Sequence, residues 1–248
     1  VSEEGDRKLV YSPKEKLEAW RFHYENLFSD KTGHSRDSAY WGHQFYGPAE
    51  VPMDNLNDGI IWEDINTALR KLKKGTAPGF DGVPPEFFKL AIEDNSHEAY
   101  NPLVPRTMMG KLLLKFANRV LNAHSIPDDW NEAWVVSIFK KGDPRNMDNY
   151  RGISLIAVII KLITLVITIR IQQALEEKGW FIKEQAGFRT LEECAAHTCS
   201  LYEILQRRLN LNECTYVAFI DIKKAYDTVP IEGLMRKLEL AGITGKAL

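Results

Sequence analysis

Cysteine is scarce in this chain of 248 residues, which holds only Cys194, Cys199 and Cys214. The number is odd and no pair has the C-x-x-C spacing. That excludes a disulfide framework or a thiolate metal site and makes a reducing, intracellular compartment, nucleus or cytoplasm, the expectation. His23, His34, His43, His97, His124 and His197 are scattered without ligand spacing, so nothing supports zinc. There is no G-x-x-x-x-G-K phosphate loop. Ser137 and Ser154 have no nucleophile-elbow context, which leaves a Ser/His/Asp hydrolase unsupported. Charge of one sign is missing too: 32 Lys+Arg stand against 34 Asp+Glu, a formal charge of −2. A nucleic-acid binder acting through bulk positive charge is thereby excluded, whereas one acting through a local patch is not. The amino terminus VSEEGDRKLV has neither an initiator Met nor an apolar leader, and GITGKAL has no recognisable ending. Both point to a piece of a longer protein.

The one long apolar run, from Ile153 to Ile169, is broken by Lys161 and flanked by Arg151 and Arg170. A membrane span needs about 20 mostly apolar residues and tolerates a central Lys poorly, so the run is expected to be core rather than membrane.

What is present is mostly helical pattern, and the composition is that of a globular protein. Ser12-Pro13-Lys14-Glu15 forms a capping box ahead of Leu17, Trp20, Tyr24, Leu27 and Phe28, an apolar face at helical spacing. Ser29 to Asp58 turns polar and carries Gly and Pro without a period, which reads as a linker. Ile61, Ile65, Leu69 and Leu72 mark a helix closed by Lys73-Lys74-Gly75. Another helix is expected over Leu103–Asn122, with Lys111, Lys115 and Arg119 forming a solvated stripe. Glu132–Phe139 and Tyr150–Leu155 read as two strands around the turn KKGDPRNMDN, followed by a helix ending near Gly179. Thr190-Leu191-Glu192-Glu193 offers a second capping box, for a helix to about Asn210. Thr215–Ile222 reads as a buried strand, and a short helix follows to about Ala241. The class is α+β, helix-rich, with few antiparallel strands.

Two features carry chemistry. Asp221 stands near the end of a run expected to be buried, where an unpaired carboxylate is costly. A metal ion, a buried cation or a helix cap each accounts for it. Asp227, six residues on, reads as a cap or turn residue. The second feature is cationic. A hairpin would bring Lys140 or Lys141 close to Arg151 and build a site for a polyanion such as a triphosphate, although a solvated hairpin tip fits the same residues. From Arg106 to Arg151 there are eight Lys/Arg against five Asp/Glu, so the excess is local.

Four blocks in order resemble the reverse transcriptases of non-LTR (LINE-type) retrotransposons. They are Ala77-Pro78-Gly79-Phe80-Asp81-Gly82-Val83-Pro84-Pro85-Glu86-Phe87; Trp130 and Ala133–Asp143 with Asn149–Leu155; Gln185-Ala186-Gly187-Phe188-Arg189; and Phe219-Ile220-Asp221-Ile222-Lys223-Lys224-Ala225-Tyr226-Asp227. The resemblance covers about residues 60–241. It implies right-hand polymerase fingers with an incomplete palm: a helical segment and linker over 1–58, fingers over 59–213 and a first palm segment over 214–248.

The same resemblance implies a two-Mg²⁺ mechanism in the complete enzyme, acting on an RNA template, a DNA primer and a dNTP, with no membrane. Asp221 would be catalytic and hold metal together with the carbonyl of Ile222. Lys140 and Arg151, with Lys141 as the alternative, would grip the triphosphate, and Tyr226 would sit under the deoxyribose. Gly152 stands where the family usually has Pro, which is expected to loosen the hairpin entry. The family's Tyr-x-Asp-Asp hairpin, which brings the second catalytic carboxylate, does not occur in this sequence. The expectation is therefore a polymerase fragment inactive by itself, with self-association through the unpaired palm strand; the alternative is a non-catalytic RNA- or DNA-binding remnant. A phosphohydrolase built on Asp221 and Asp227 accounts for none of the other motifs.

Overall fold

In the computed structural model, which describes residues 9–123, 127–189, 194–222 and 225–248, helices begin where the capping chemistry dictates. The Ser12 hydroxyl accepts the Glu15 N–H at 3.2 Å and the Glu15 carboxylate accepts the Ser12 N–H, opening α1 (Pro13–Phe28). Asp37 likewise caps α2 (Ser38–Gln44), accepting the Tyr40 N–H at 2.9 Å.

The principal core is built on α3 (Trp62–Lys71), whose Trp62, Ile65 and Leu69 repeat at helical spacing and are fully buried. After α4 (Pro85–Lys89), Leu113, Ala117 and Leu121 of α5 (Met108–Asn122) pack into the same core. So do Val158, Leu162, Ile163 and Val166 of α6 (Val158–Glu177). Helix α5 starts five residues later than its apolar pattern suggests. The buried Glu93 carboxylate accepts the N–H groups of Arg106 (2.7 Å) and Thr107 (3.1 Å), holding that stretch as a loop until Thr107 caps the helix. Among the described residues α6 is the one helix long and apolar enough to cross a membrane. The apolar run that raised this question is divided, with Ile153–Leu155 in a strand and its helical part packed into the core.

The sheet is a single antiparallel pair among the described residues, β1 (Trp134–Phe139) with β2 (Tyr150–Leu155). Helix α7 (Cys194–Asn210) buries none of its described residues; its expected capping box, residues 190–193, lies outside them. Helix α8 (Ile231–Leu240) closes the described chain order of helices.

Ser29–Asp58, a linker by composition, holds α2 and is fastened to α8. The Glu50 N–H donates to the Leu240 carbonyl at 2.9 Å and the Met53 N–H to Gly242 at 2.8 Å. Gly233 lies under the Trp41 ring, and Lys237 stands 4.3 Å from the centre of the Phe45 ring. A second small core forms here from Leu56, Leu175, Ala241 and Ile243. Gly242 is tightly constrained: its φ is +91° and a β-carbon there would stand 2.5 Å from the Val51 carbonyl oxygen.

One expected element is absent. Thr215–Ile222 is neither helix nor strand, and the whole segment is exposed, Phe219 by 85% and Ile220 by 91%. A lone extended segment has no ladder to satisfy its backbone, and the described residues place no strand beside it. Its β-forming composition therefore has nothing to act on.

Candidate functional site

The hairpin register sorts its side chains. Ile138 pairs with Arg151, Ser137 with Gly152 and Phe139 with Tyr150. Since strand side chains alternate, Val135, Ser137, Phe139, Tyr150 and Gly152 share one face, while Trp134, Val136, Ile138, Arg151 and Ile153 share the other. The ladder continues one step, with the Lys140 N–H donating to the Asn149 carbonyl at 2.8 Å. Lys140 therefore falls on the face of Ile138 and Arg151, and Lys141 on the opposite one. Of the two lysines that the sequence leaves open, register selects Lys140.

The turn that holds these cations is built rather than loose. Gly142 has φ +93°. The Asn149 side-chain amide donates to the Asp143 carbonyl at 2.9 Å and the Tyr150 hydroxyl to the Pro144 carbonyl at 2.9 Å. The Arg145 guanidinium closes on the Asp143 carboxylate at 2.8 Å, so it is engaged within the turn. Lys140, Lys141 and Arg151 are exposed. Beside Arg151, on the same face, Trp134, Val136, Ile138 and Ile153 remain 41–59% exposed, an apolar floor next to two cations.

Helix α1 lies against part of the other face, where Val135 and Phe139 stay 37% and 46% exposed. Trp20 meets the Tyr150 ring edge-on at 5.0 Å, and the Tyr24 hydroxyl is hydrogen-bonded to that of Ser137 at 2.8 Å. A β-carbon at position 152 would stand 2.6 Å from the Tyr24 ring. The expected loosening at Gly152 is thus corrected: although position 152 is exposed, the space a side chain would take there is occupied by the Tyr24 ring.

The APGFDG block lies under the junction of β2 and α6. A β-carbon on Gly79 would be 2.4 Å from the Ala157 nitrogen, so only glycine lets the two backbones meet. The QAGFR block lies beside the Tyr226 turn, Ala225–Thr228, with the Phe188 and Tyr226 rings edge-on at 6.3 Å. Phe188 has φ +64°. Its neighbour Arg189 is clamped to the Glu176 carboxylate at 2.7 Å and lies over the Phe181 ring. Arg189 holds the Glu176 carboxyl below the ordinary carboxylate range, chiefly by that hydrogen bond.

Asp221, Ile222 and Tyr226 are all exposed. The burial argued for Asp221 does not occur: the residue is exposed. Lys223 and Lys224 lie outside the described residues. Mg²⁺ needs about six oxygen ligands in a close shell. Among the described residues no group of three His, Cys, Asp or Glu side chains is placed to hold a metal ion. One exposed carboxylate and a neighbouring carbonyl do not make a fit for that ion. Lys111, Lys115 and Arg119 are exposed along α5, as a solvated stripe would be.

Residues 138–246 match the family described as reverse transcriptase (RNA-dependent DNA polymerase). The chain is 25% identical over 178 residues to the probable RNA-directed DNA polymerase from transposon BS of Drosophila melanogaster, covering 71% of this chain and 18% of that protein. It is 24% identical over 184 residues to the Pol polyprotein from the type-1 retrotransposable element R2 of Popillia japonica, covering 74% and 22%. With the RNA-directed DNA polymerase from mobile element jockey of Drosophila melanogaster it shares 26% over 179 residues, covering 72% and 18%. By both comparisons the chain is similar to the RNA-directed DNA polymerases of non-LTR retrotransposons.

It spans about a fifth of the length of these curated relatives. The reverse-transcriptase match begins at Ile138 in β1 and so includes Lys140, Lys141, Arg151, Asp221, Ile222 and Tyr226. Helix α1 and its Tyr24 lie outside it. Motif reading alone therefore passes over Tyr24, although the four-residue spacing of Trp20, Tyr24 and Phe28 marks a face that must cover something.

Proposed function

We propose that this chain carries the fingers region and first palm segment of a non-LTR RNA-directed DNA polymerase, divided near 59–213 and 214–248. Its hairpin face of Lys140 and Arg151 grips the triphosphate of an incoming dNTP. The register that sets both cations on the face opposite α1 carries this reading. Guanidinium and ammonium groups beside an apolar floor suit a ligand with a polyanionic end and a flat base. Tyr226, beside Phe188, takes the sugar position, and the RNA template and DNA primer are the remaining partners of the complete polymerase. In that polymerase Asp221 and the Ile222 carbonyl would be two of the ligands of a Mg²⁺ site.

By itself the chain is expected to bind nucleotide and nucleic acid without extending a primer. A primer-extension assay with Mg²⁺, dNTPs and an RNA template tests this. Incorporation above background that Asp221→Ala abolishes would overturn the inactivity. The exposed Asp221, which joins no group of three His, Cys, Asp or Glu side chains placed for a metal ion among the described residues, favours a second reading as a non-catalytic RNA-binding remnant. That reading requires RNA binding whose log–log salt slope flattens when Lys140 and Arg151 are neutralised. Absence of binding at low salt would remove it.

A further inference from the structure

The two faces of the hairpin are coupled through a contact that lies outside the reverse-transcriptase match. Tyr24 stacks between Trp20 (ring centres 5.7 Å apart, 20° between planes) and Phe28 (5.7 Å, 16°). Its hydroxyl is tied to Ser137 at 2.8 Å. Ser137 and Gly152 are register partners, and each is chain neighbour to a residue of the cationic face: Ser137 to Ile138, Gly152 to Arg151. Trp20 grips the next pair through Tyr150. The ring is therefore held from three sides. A β-carbon at position 152 would stand 2.6 Å from it, so the ring, α1 or β2 would have to shift. Any shift of β2 at Gly152 would carry its chain neighbour Arg151 with it. The α1 backbone also passes within 8 Å of the Ala225–Thr228 turn that carries Tyr226. One helix thus borders both parts of the candidate nucleotide site.

We propose that Tyr24 is a positioning residue for the polyanion-binding face, acting through Gly152 and Ser137 to set Arg151 and Lys140, and that Gly152 is the residue that admits it. This rests on the triphosphate reading of the hairpin. Position 152 and α1 are then a matched pair: glycine leaves the space and the tyrosine ring fills it.

The test measures binding of inorganic tripolyphosphate to the full 248-residue chain by calorimetry, well below each variant's Tm. Gly152→Ala is expected to raise Kd about fivefold, equivalent to about 1 kcal/mol. Tyr24→Ala is expected to raise it similarly, and Tyr24→Phe, which keeps the ring, less. In the Tyr24→Ala background, adding Gly152→Ala should change Kd by less than about twofold, because the ring that the methyl group strikes is gone. A lowered Tm with unchanged Kd for Gly152→Ala and Tyr24→Phe would overturn the positioning role while Arg151→Ala still abolished binding. Additive losses in the double variant would overturn the Tyr24–Gly152 coupling. If Arg151→Ala binds as tightly as the native chain, the triphosphate reading itself falls. If Gly152→Ala does not fold, the graded loss from Tyr24→Phe to Tyr24→Ala decides, and equal native-like Kd values for both overturn the proposal.

Discussion

Arg151 faces Ile138 across the β1–β2 hairpin, and that pairing determines which nearby lysine joins it. Lys140, two residues beyond Ile138, shares its side of the pleat, and Lys141 does not. Neutralising Lys140 should therefore weaken tripolyphosphate binding about fivefold, a loss typical of one charge-assisted contact at an exposed site. Lys141→Ala should move Kd less than twofold. Equal losses, measured by calorimetry at fixed ionic strength, would show that register does not govern the site.

Gly79 and Gly42 separate two roles for the same residue. A β-carbon on Gly79 would lie 2.4 Å from the Ala157 backbone, whereas one on Gly42 meets nothing within 4 Å. Gly79→Ala is expected to cost about 1–3 kcal/mol, the range for forcing atoms into a packed contact. Gly42→Ala, inside α2, is expected to gain about 0.5–1 kcal/mol from helix propensity. Urea unfolding of both variants checks the pair, and a neutral Gly79→Ala would contradict the backbone contact.

The Arg189–Glu176 clamp gives a pH dependence of known sign. Glu176 is a carboxyl whose folded-state pKa is lowered from the ordinary 4.5. Its stabilisation is complete above the unfolded pKa and is lost as pH falls through the lowered folded value. The Tm advantage of the native chain over Glu176→Gln should persist from pH 7 to about pH 5 and shrink below about pH 4. An advantage that grew on acidification would refute the assignment.

The exposed run around Asp221 predicts association. Tyr216, Phe219, Ile220 and Ile222 are 69–96% exposed on an unpaired segment. Such a segment can pair with the same segment of another copy. Sedimentation of the native chain should show concentration-dependent oligomers, and Phe219→Glu with Ile220→Lys should reduce them. A monodisperse monomer at high concentration would count against this.

The start of α1 and the hairpin were legible because their causes are local. Ser12 with Glu15, and the β-rich Glu132–Phe139 and Tyr150–Leu155 runs, fall within a few residues of the elements observed. The motifs that relate the chain to reverse transcriptases are likewise short blocks readable in order. Thr215–Ile222 was misread because strand formation needs a neighbour, and β-forming composition cannot supply one. Ser29–Asp58 was read as a linker because what fastens it is far away in sequence: Leu240 and Gly242 on one side, Gly233 under Trp41 on the other.

The sequence by itself determined where α1 is capped, which residues are cationic and which family its blocks resemble. The tertiary structure alone decided that Lys140 rather than Lys141 stands with Arg151, and that Gly152 makes room for Tyr24. Face and register are relations between segments: a one-residue shift in pairing would exchange the two lysines without altering a letter of the chain.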